Sequence, residues 1–366
     1  MKEKKWNIAA MGAVAVIWLI LCVALWLSPP NARSRTERRP LAQFPEFSGS
    51  ALLSGKFMTD FESYTLDQFP FRDGFRSLKA QFHYKVLQQK DNNGIYFHQG
   101  HAAKLEYPLN EASLNHALAV FSRINEKYLQ ESSVYFSIVP DKGYYLAQDG
   151  GYPAMDYEKL IETMKKGMPC ADYVNLTDTL TADSYYRTDT HWRQEALLPT
   201  ANRLCDTLGI PSRKASDYTA SPANRPFYGV YYGQAALPMQ ADTLYTMENT
   251  LLKNCTLYNY ETGKTGPIYD TGKLSGDDLY EVFLSGSVSL LRIDNPYAQT
   301  EKELILFRDS FGSSLAPLLV HGYKSITLVD IRYISSKMLD RFIDFHGQDV
   351  LFLYSTLVLN NSNQLQ

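Results

Sequence analysis

Glu303-Leu304-Ile305-Leu306-Phe307-Arg308-Asp309-Ser310-Phe311-Gly312 is the segment on which the fold turns. Its first five residues make an apolar run of strand length, and Leu315-Ala316-Pro317-Leu318-Leu319 follows with the texture of a helix. Ser310 is therefore expected at the carboxyl end of a buried strand, just before a helix N-terminus. In open α/β sheets that edge binds ligands, and the amides of Ser310, Phe311 and Gly312 would be available to a developing oxyanion. Pro317 fits without strain only in the first helical turn; a deeper position demands a kink.

Far upstream stands Asp189-Thr190-His191-Trp192. On an extended segment Asp189 and His191 project to one face about 7 Å apart at the backbone, which lets a carboxylate grip an imidazole while Thr190 faces away. The two segments together offer an acid, a base and a nucleophile. Asp309 reads as a cap or brace for the turn, given aspartate's preference for N-terminal amides, and Arg308 as structural. Trp192 reads either as packing beside the base or as an aromatic contact for a sugar. Aspartate and histidine are also metal ligands, but no third ligand declares itself and no His-Glu-x-x-His helix occurs, so no metal and no cofactor are expected.

Around these segments the pattern is α/β. Ile95-Tyr96-Phe97 and Val134 to Val139 read as short strands separated by a helix from Glu111 to Leu129, an order that suggests parallel pairing. Further helices are expected at 158–168 and 193–208, and further strands at 325–329 and 350–354. Between 57 and 87, apolar residues recur at helical spacing and Pro70 divides them into two helices. From about 210 to 295 the texture changes to short β-like runs with many tyrosines and glycines, expected to form a β-rich insertion. Within it Tyr228, Tyr231 and Tyr232 are candidate sugar-stacking residues, although packing of the insertion accounts for each equally well.

The chain has 366 residues, a net charge of −3, 45% hydrophobic and 20% charged residues, values that suit a full globular core and nothing basic enough for nucleic acid. Trp6 to Leu27 carries no charge and is about the 20 residues a spanning helix needs, and Ser28-Pro29-Pro30-Asn31-Ala32 is a poor cleavage site. Residues 1–28 therefore read as an uncleaved membrane anchor and 29–47 as an extended, exposed tether. Lysines before the span are matched by Arg33, Arg35, Arg38 and Arg39 after it, so charge alone does not orient it. Of the cysteines, Cys22 lies in the span; Cys170 and Cys205 bracket the Asp-x-His segment and either pair or stay reduced, as does Cys255.

Several motifs together carry a resemblance. Phe69-Pro70-Phe71-Arg72-Asp73, Val139-Pro140-Asp141-Lys142, Asp189-Thr190-His191-Trp192, the segment from Asp278 to Gly286, Asp309-Ser310-Phe311-Gly312, Val329 to Tyr333 and Leu353 to Asn360 resemble the DHHW family of bacterial envelope proteins. That family is similar to the SGNH-type proteins that O-acetylate exopolysaccharides such as alginate. The chain departs from the family's name at Thr190. The resemblance implies a three-layer α/β/α SGNH-hydrolase-like domain with a mostly parallel sheet over residues 48–366. It also implies Ser310 as nucleophile, His191 as general base and Asp189 as its orienting partner, a triad known by geometry rather than chain order. Ser355 and Asn360 are further oxyanion candidates. The implied setting is extracytoplasmic, with a polysaccharide acceptor and a separate multi-pass membrane acyltransferase supplying acetyl. A carbohydrate esterase and a nonenzymatic glycan-binding or assembly protein remain alternatives.

Overall fold

The computed structural model describes residues 2–366, with side chains from residue 4 onward; Met1, at the head of the expected anchor, lies outside them. The chain forms two compact units, residues 1–92 with 233–238, and residues 93–232 with 239–366.

In the first unit, α1 (Lys2–Leu27) is the one helix among the described residues long and apolar enough to cross a membrane. Ser48 caps α2 (Gly49–Leu53), accepting from the Ala51 amide, and α3 (Lys56–Asp67) follows. Pro70 separates α3 from α4 (Arg72–Gln81), as expected, and a π turn over Phe82–Val86 prolongs α4. Thus α2, α3 and α4, expected as part of a domain from residue 48 onward, group with the N-terminal unit rather than with the α/β body.

The tether expectation needs correction. Arg33–Ser34 pairs antiparallel with Arg39–Pro40, and the Arg39 guanidinium grips both Asp67 oxygens at 2.6 and 2.8 Å. Glu37 receives Arg72 at 2.6 Å and Arg76 at 3.2 Å. Charges that look like linker content find partners far along the chain, and residues 31–42 are pinned to α3 and α4.

The second unit is built on an eight-stranded sheet. In chain order its strands are β1 (Ser133–Val139), β2 (Asp172–Tyr173), β3 (Thr256–Asn259), β4 (Lys264–Pro267), β5 (Leu290–Asp294), β6 (Glu303–Arg308), β7 (Ser325–Val329) and β8 (Asp349–Ser355). Their spatial order is β4-β3-β5-β7-β6-β8-β1-β2. The five from β7 to β2 run parallel, and β5, β3 and β4 add antiparallel strands at one side. The expected insertion is therefore not separate in its second half: β3, β4 and β5 extend the main sheet. Only Thr219–Pro222 with Tyr245–Glu248 makes its own small ladder there.

Alternation along the serine strand explains the layers. Leu304 and Leu306 pack on one side with Leu204 of α8 (Leu198–Leu208) and Leu315 of α9 (Phe311–Leu319). Ile305 and Phe307 pack on the other with Phe121 of α5 (Glu111–Tyr128) and Leu160 of α7 (Tyr157–Gly167), the short α6 (Gly143–Gly150) lying between those two helices in the chain. A strand buried on both faces reads as a continuous apolar run, and this one does. Asn110 caps α5 by accepting from the Ser113 amide, and Leu114, Ala117, Phe121 and Ile124 form its buried stripe.

Two local expectations differ. Ile95–His98 pairs antiparallel with His101–Lys104 instead of joining the parallel sheet, because Gln99 and Gly100 both take positive φ (48° and 80°), the requirement of a two-residue hairpin. The helix expected from 193 begins as a 3-10 turn (Gln194–Ala196), and α8 proper starts at Leu198, with Pro199 in its first turn where a missing N–H costs nothing. Pro317 lies seven residues into the nine-residue α9, deeper than the first turn, and every residue of that helix is buried.

Candidate active site

Ser310 is separated from the end of β6 by Asp309 alone and stands at the N-cap of α9 with helical φ and ψ (−62°, −22°). Asp309 braces this turn: one carboxylate oxygen accepts from the Phe311 amide at 3.0 Å, the other from the Ser355 amide at 2.8 Å. Gly312 is needed for close approach, since a Cβ there would meet the Arg308 Cβ at 2.7 Å. Arg308 itself is buried, with Asp330 at 3.5 Å.

Asp189 and His191 do not lie on a strand, in contrast to the extended geometry expected. Tyr185 bridges Trp192, the Tyr186 amide donates to the His191 carbonyl, and residues 187–190 form the tip of a tight loop. Asp189 nevertheless meets His191, as an Asx-type turn: its Oδ1 accepts from the His191 amide at 3.0 Å and from Nδ1 at 2.6 Å. The His191 Nε2 lies 2.7 Å from Ser310 Oγ. With the carboxylate fixing the proton on Nδ1, Nε2 is left to accept from the serine hydroxyl. Asp189 is 1% exposed and His191 12%, so the imidazole is the wetter end of the pair.

The loop tip is held from several sides. Asp189 Oδ2 accepts from the Val230 amide at 2.7 Å, and Gly229 lies so close that a Cβ there would fall 2.2 Å from the Asp189 Cβ. Asp242 accepts from the Arg187 and Thr188 amides and the Thr188 hydroxyl. Lys142, wholly buried, donates to the Tyr186 carbonyl at 2.9 Å and the Arg187 carbonyl at 3.4 Å, and its Nζ is 5.0 Å from the centre of the Tyr231 ring. Burial pulls the Lys142 pKa down to about 7, against the opposing pull of the Asp189, Asp242 and Asp141 carboxylates. Burial likewise pushes Asp141 up, opposed by hydrogen bonds from Thr356, the Gly143 amide and Tyr157.

Tyr280 stacks on His191 with ring centres 3.8 Å apart and planes within 9°, and its hydroxyl pairs with Ser314 at 2.8 Å. Trp192 is fully buried; its Nε1 donates to the Phe311 carbonyl and the Ser314 hydroxyl, which ties the histidine loop to α9. It has no free face for a sugar. Tyr231 is also buried, its hydroxyl donating to Thr190 Oγ1 at 3.1 Å, so the Thr190 side chain is held by this tyrosine. Tyr232 is half-buried with its amide donating to the Thr188 carbonyl, and Tyr228, 42% exposed, is the aromatic of this group that faces outward.

Most expected oxyanion donors are occupied. The Phe311 amide goes to Asp309 Oδ1, and the Gly312 amide donates to the Asp309 carbonyl at 3.1 Å. The Ser355 amide goes to Asp309, and its hydroxyl accepts from Val358. Asn360 accepts from the Asn110 amide and donates to Glu106 and Pro108, which anchors α10 (Thr356–Asn360) to the start of α5. Among the described residues, the Ser310 amide is the candidate without a partner. No group of three or more His, Cys, Asp or Glu is placed to hold a metal ion among them. All four cysteines are unpaired: Cys205 and Cys255 are buried, while Cys22 and Cys170 are exposed.

Tyr280, Lys142, Asp242 and Gly229 are parts of the site that sequence reasoning passes over. Lys142 and Tyr280 sit inside Val139-Pro140-Asp141-Lys142 and Asp278 to Gly286, segments already marked by the resemblance, which is the signal that could have found them.

No family model matches the sequence, and no curated protein matches it. Solved structures do. A DHHW family protein from Eubacterium siraeum is similar at 22% identity with a TM-score of 0.62, over 75% of this chain and 97% of that one. PatB1 from Bacillus cereus is similar at 20% identity and a TM-score of 0.58 in a structure with a sulfonyl adduct, and at 19% and 0.57 in a second structure; these span 72% of this chain and 95% and 96% of theirs. The chain thus has the α/β fold, with its large and mainly parallel central sheet, that is seen in the DHHW family protein and in PatB1.

Proposed function

We propose that the protein is an acyl transferase that moves an acetyl group to a hydroxyl of a cell-envelope or secreted polysaccharide, with Ser310 as nucleophile, His191 as general base and Asp189 as its orienting partner. One observation carries the reading: the His191 ring joins Asp189 at 2.6 Å and Ser310 at 2.7 Å in a single hydrogen-bonded line. His191 Nε2 takes the Ser310 proton as Oγ bonds to the acetyl carbonyl carbon, and the Ser310 amide donates to the oxygen that becomes negative. Collapse expels the donor's leaving group, which receives the proton from His191. A sugar hydroxyl then attacks the acyl-serine as His191 takes its proton, the bond from the acetyl carbon to Oγ breaks, and His191 returns that proton to Ser310. Stacking of Tyr280 shields one face of the imidazole from water throughout.

The proposed setting is a single-pass anchor, α1, with the second unit outside the cytoplasm and a separate multi-pass acyltransferase delivering acetyl. A C-terminal reporter active only in the cytoplasm would reverse that orientation. For the chemistry, the full chain in detergent is incubated with an activated acetyl ester, with and without oligosaccharides, and Ser310 is read by mass spectrometry. Acetyl-Ser310 that transfers to oligosaccharide supports the proposal. Acetyl-Ser310 that turns over only to acetate makes the protein a carbohydrate esterase. An unmodified Ser310 in a chain that also resists sulfonyl fluorides leaves a glycan-binding role.

A further inference from the structure

The helix α4 is inside out. Along α4 and the π turn that prolongs it, Phe75, Leu78, Phe82 and Val86 recur every three or four residues, which places them on one face, and Phe71 stands just before the helix at its N-cap. That face is turned outward: Phe71 is 81% exposed and Leu78 63%. The arginines are turned inward, where Arg72 and Arg76 reach Glu37 and the Arg72 side chain is only 17% exposed, while Asp73 and Lys79 stay at the surface. A surface helix of a protein built for water does the reverse, so this helix is built for an apolar medium. The same unit supplies one. Trp26, in the last turn of α1, lies 6.2 Å from Phe44 and 6.4 Å from Phe61 of α3, so the end of the apolar helix packs on the aromatic side chains of the unit that carries α4. Lys79 and Lys85 are exposed beside the stripe, as suits anionic headgroups.

We infer that α4 and its π-turn extension lie in the membrane interface as a second attachment, with the Phe71 to Val86 stripe among the acyl chains. The inference rests on the reading of α1 as a membrane anchor. Its test is photolabelling of the full chain in phosphatidylcholine–phosphatidylglycerol vesicles whose lipids carry an acyl-chain diazirine, with labels mapped by mass spectrometry. Labels are expected on α1 and on residues 69–87, and not on the body from 93 onward. The triple variant Phe71→Ser, Leu78→Ser, Phe82→Ser should lose the second set severalfold and keep the first. Label on α1 with none on 69–87 overturns the inference while sparing the anchor, and leaves a protein partner as what covers the stripe. An unlabelled α1 removes the anchor reading and the inference with it.

Discussion

Arg308 and Phe71 sit in opposite environments from those their side chains would choose in water. In the second unit Arg308, Lys142 and Asp189 are buried, each held by hydrogen bonds or counter-charges, while leucines and valines fill both faces of the sheet. In the first unit Arg72 and Arg76 turn inward while Phe71 and Leu78 turn outward. Buried charge costs several kcal/mol unless paired, and is kept where it organises chemistry. Exposed apolar area costs about 25 cal/mol per Å², and is kept where water is not the solvent. On the readings proposed above, the irregularity of one unit serves a site and that of the other its surroundings.

The strongest way to break this contrast is to remove the chemistry. Ser310→Ala is expected to lower acetyl transfer by about 10³-fold or more with the fold intact, measured by single-turnover transfer and circular dichroism. Full activity in that variant would return Ser310 to an ordinary helix start. Next comes the core that carries the serine. Leu306→Ala should cost about 3 kcal/mol in denaturant unfolding, because Leu306 is fully buried in a close-packed layer. Gly229→Ala sharpens the account of the loop: a methyl 2.2 Å from Asp189 must displace it, and a misplacement of about 1 Å costs on the order of 10²-fold in kcat. An unchanged kcat would show that Asp189 is positioned by something else.

Lys142→Met should act through the same loop at smaller scale. Loss of a charge-assisted bond is worth about 1.5 kcal/mol, or roughly tenfold in rate if the transition state feels it. Its pH signature is separate. With a folded pKa of about 7 against 10.5 for an ordinary lysine, the unfolded chain binds the extra proton between those values. Lys142 therefore makes stability rise as pH climbs from about 7, and below 7 the full cost of burying the charge applies. The variant should show a flatter Tm against pH over that window; an identical slope would contradict a desolvated Lys142. The smallest effect expected is that of Leu78→Ser on unfolding without lipid, within about 0.5 kcal/mol, since little is lost from an exposed position. A large loss would mean that the stripe packs in water and would end the contrast.

Much of the second unit is legible from local pattern. The run at 303–307, the helix after Asn110 and the strands at 325–329 and 350–354 appear where the apolar pattern puts them. The antiparallel strands β3, β4 and β5 are less so. Their sequence says only that they are short and apolar in part, and joining the main sheet is a choice among partners far along the chain. Residues 29–47 are misread as tether because Glu37 and Arg39 look solvated when taken one at a time, away from the Arg72 and Asp67 that pair with them.

Residue types and spacing by themselves determine that Ser310 ends a strand and starts a helix, that Asp189 and His191 are near neighbours, and that residues 6–27 suit a membrane. Only the tertiary structure decides that the imidazole reaches the serine across 119 residues, that Tyr280 covers its face, and that Trp192 and Tyr231 are buried rather than offered to a sugar. It also decides which amide is left unpaired at the serine. Periodicity encodes which face of an element is apolar, because that depends on neighbours three or four residues away. What meets that face, and whether a polar atom finds a partner, depends on chain brought together by collapse of the whole core, and no local window contains it.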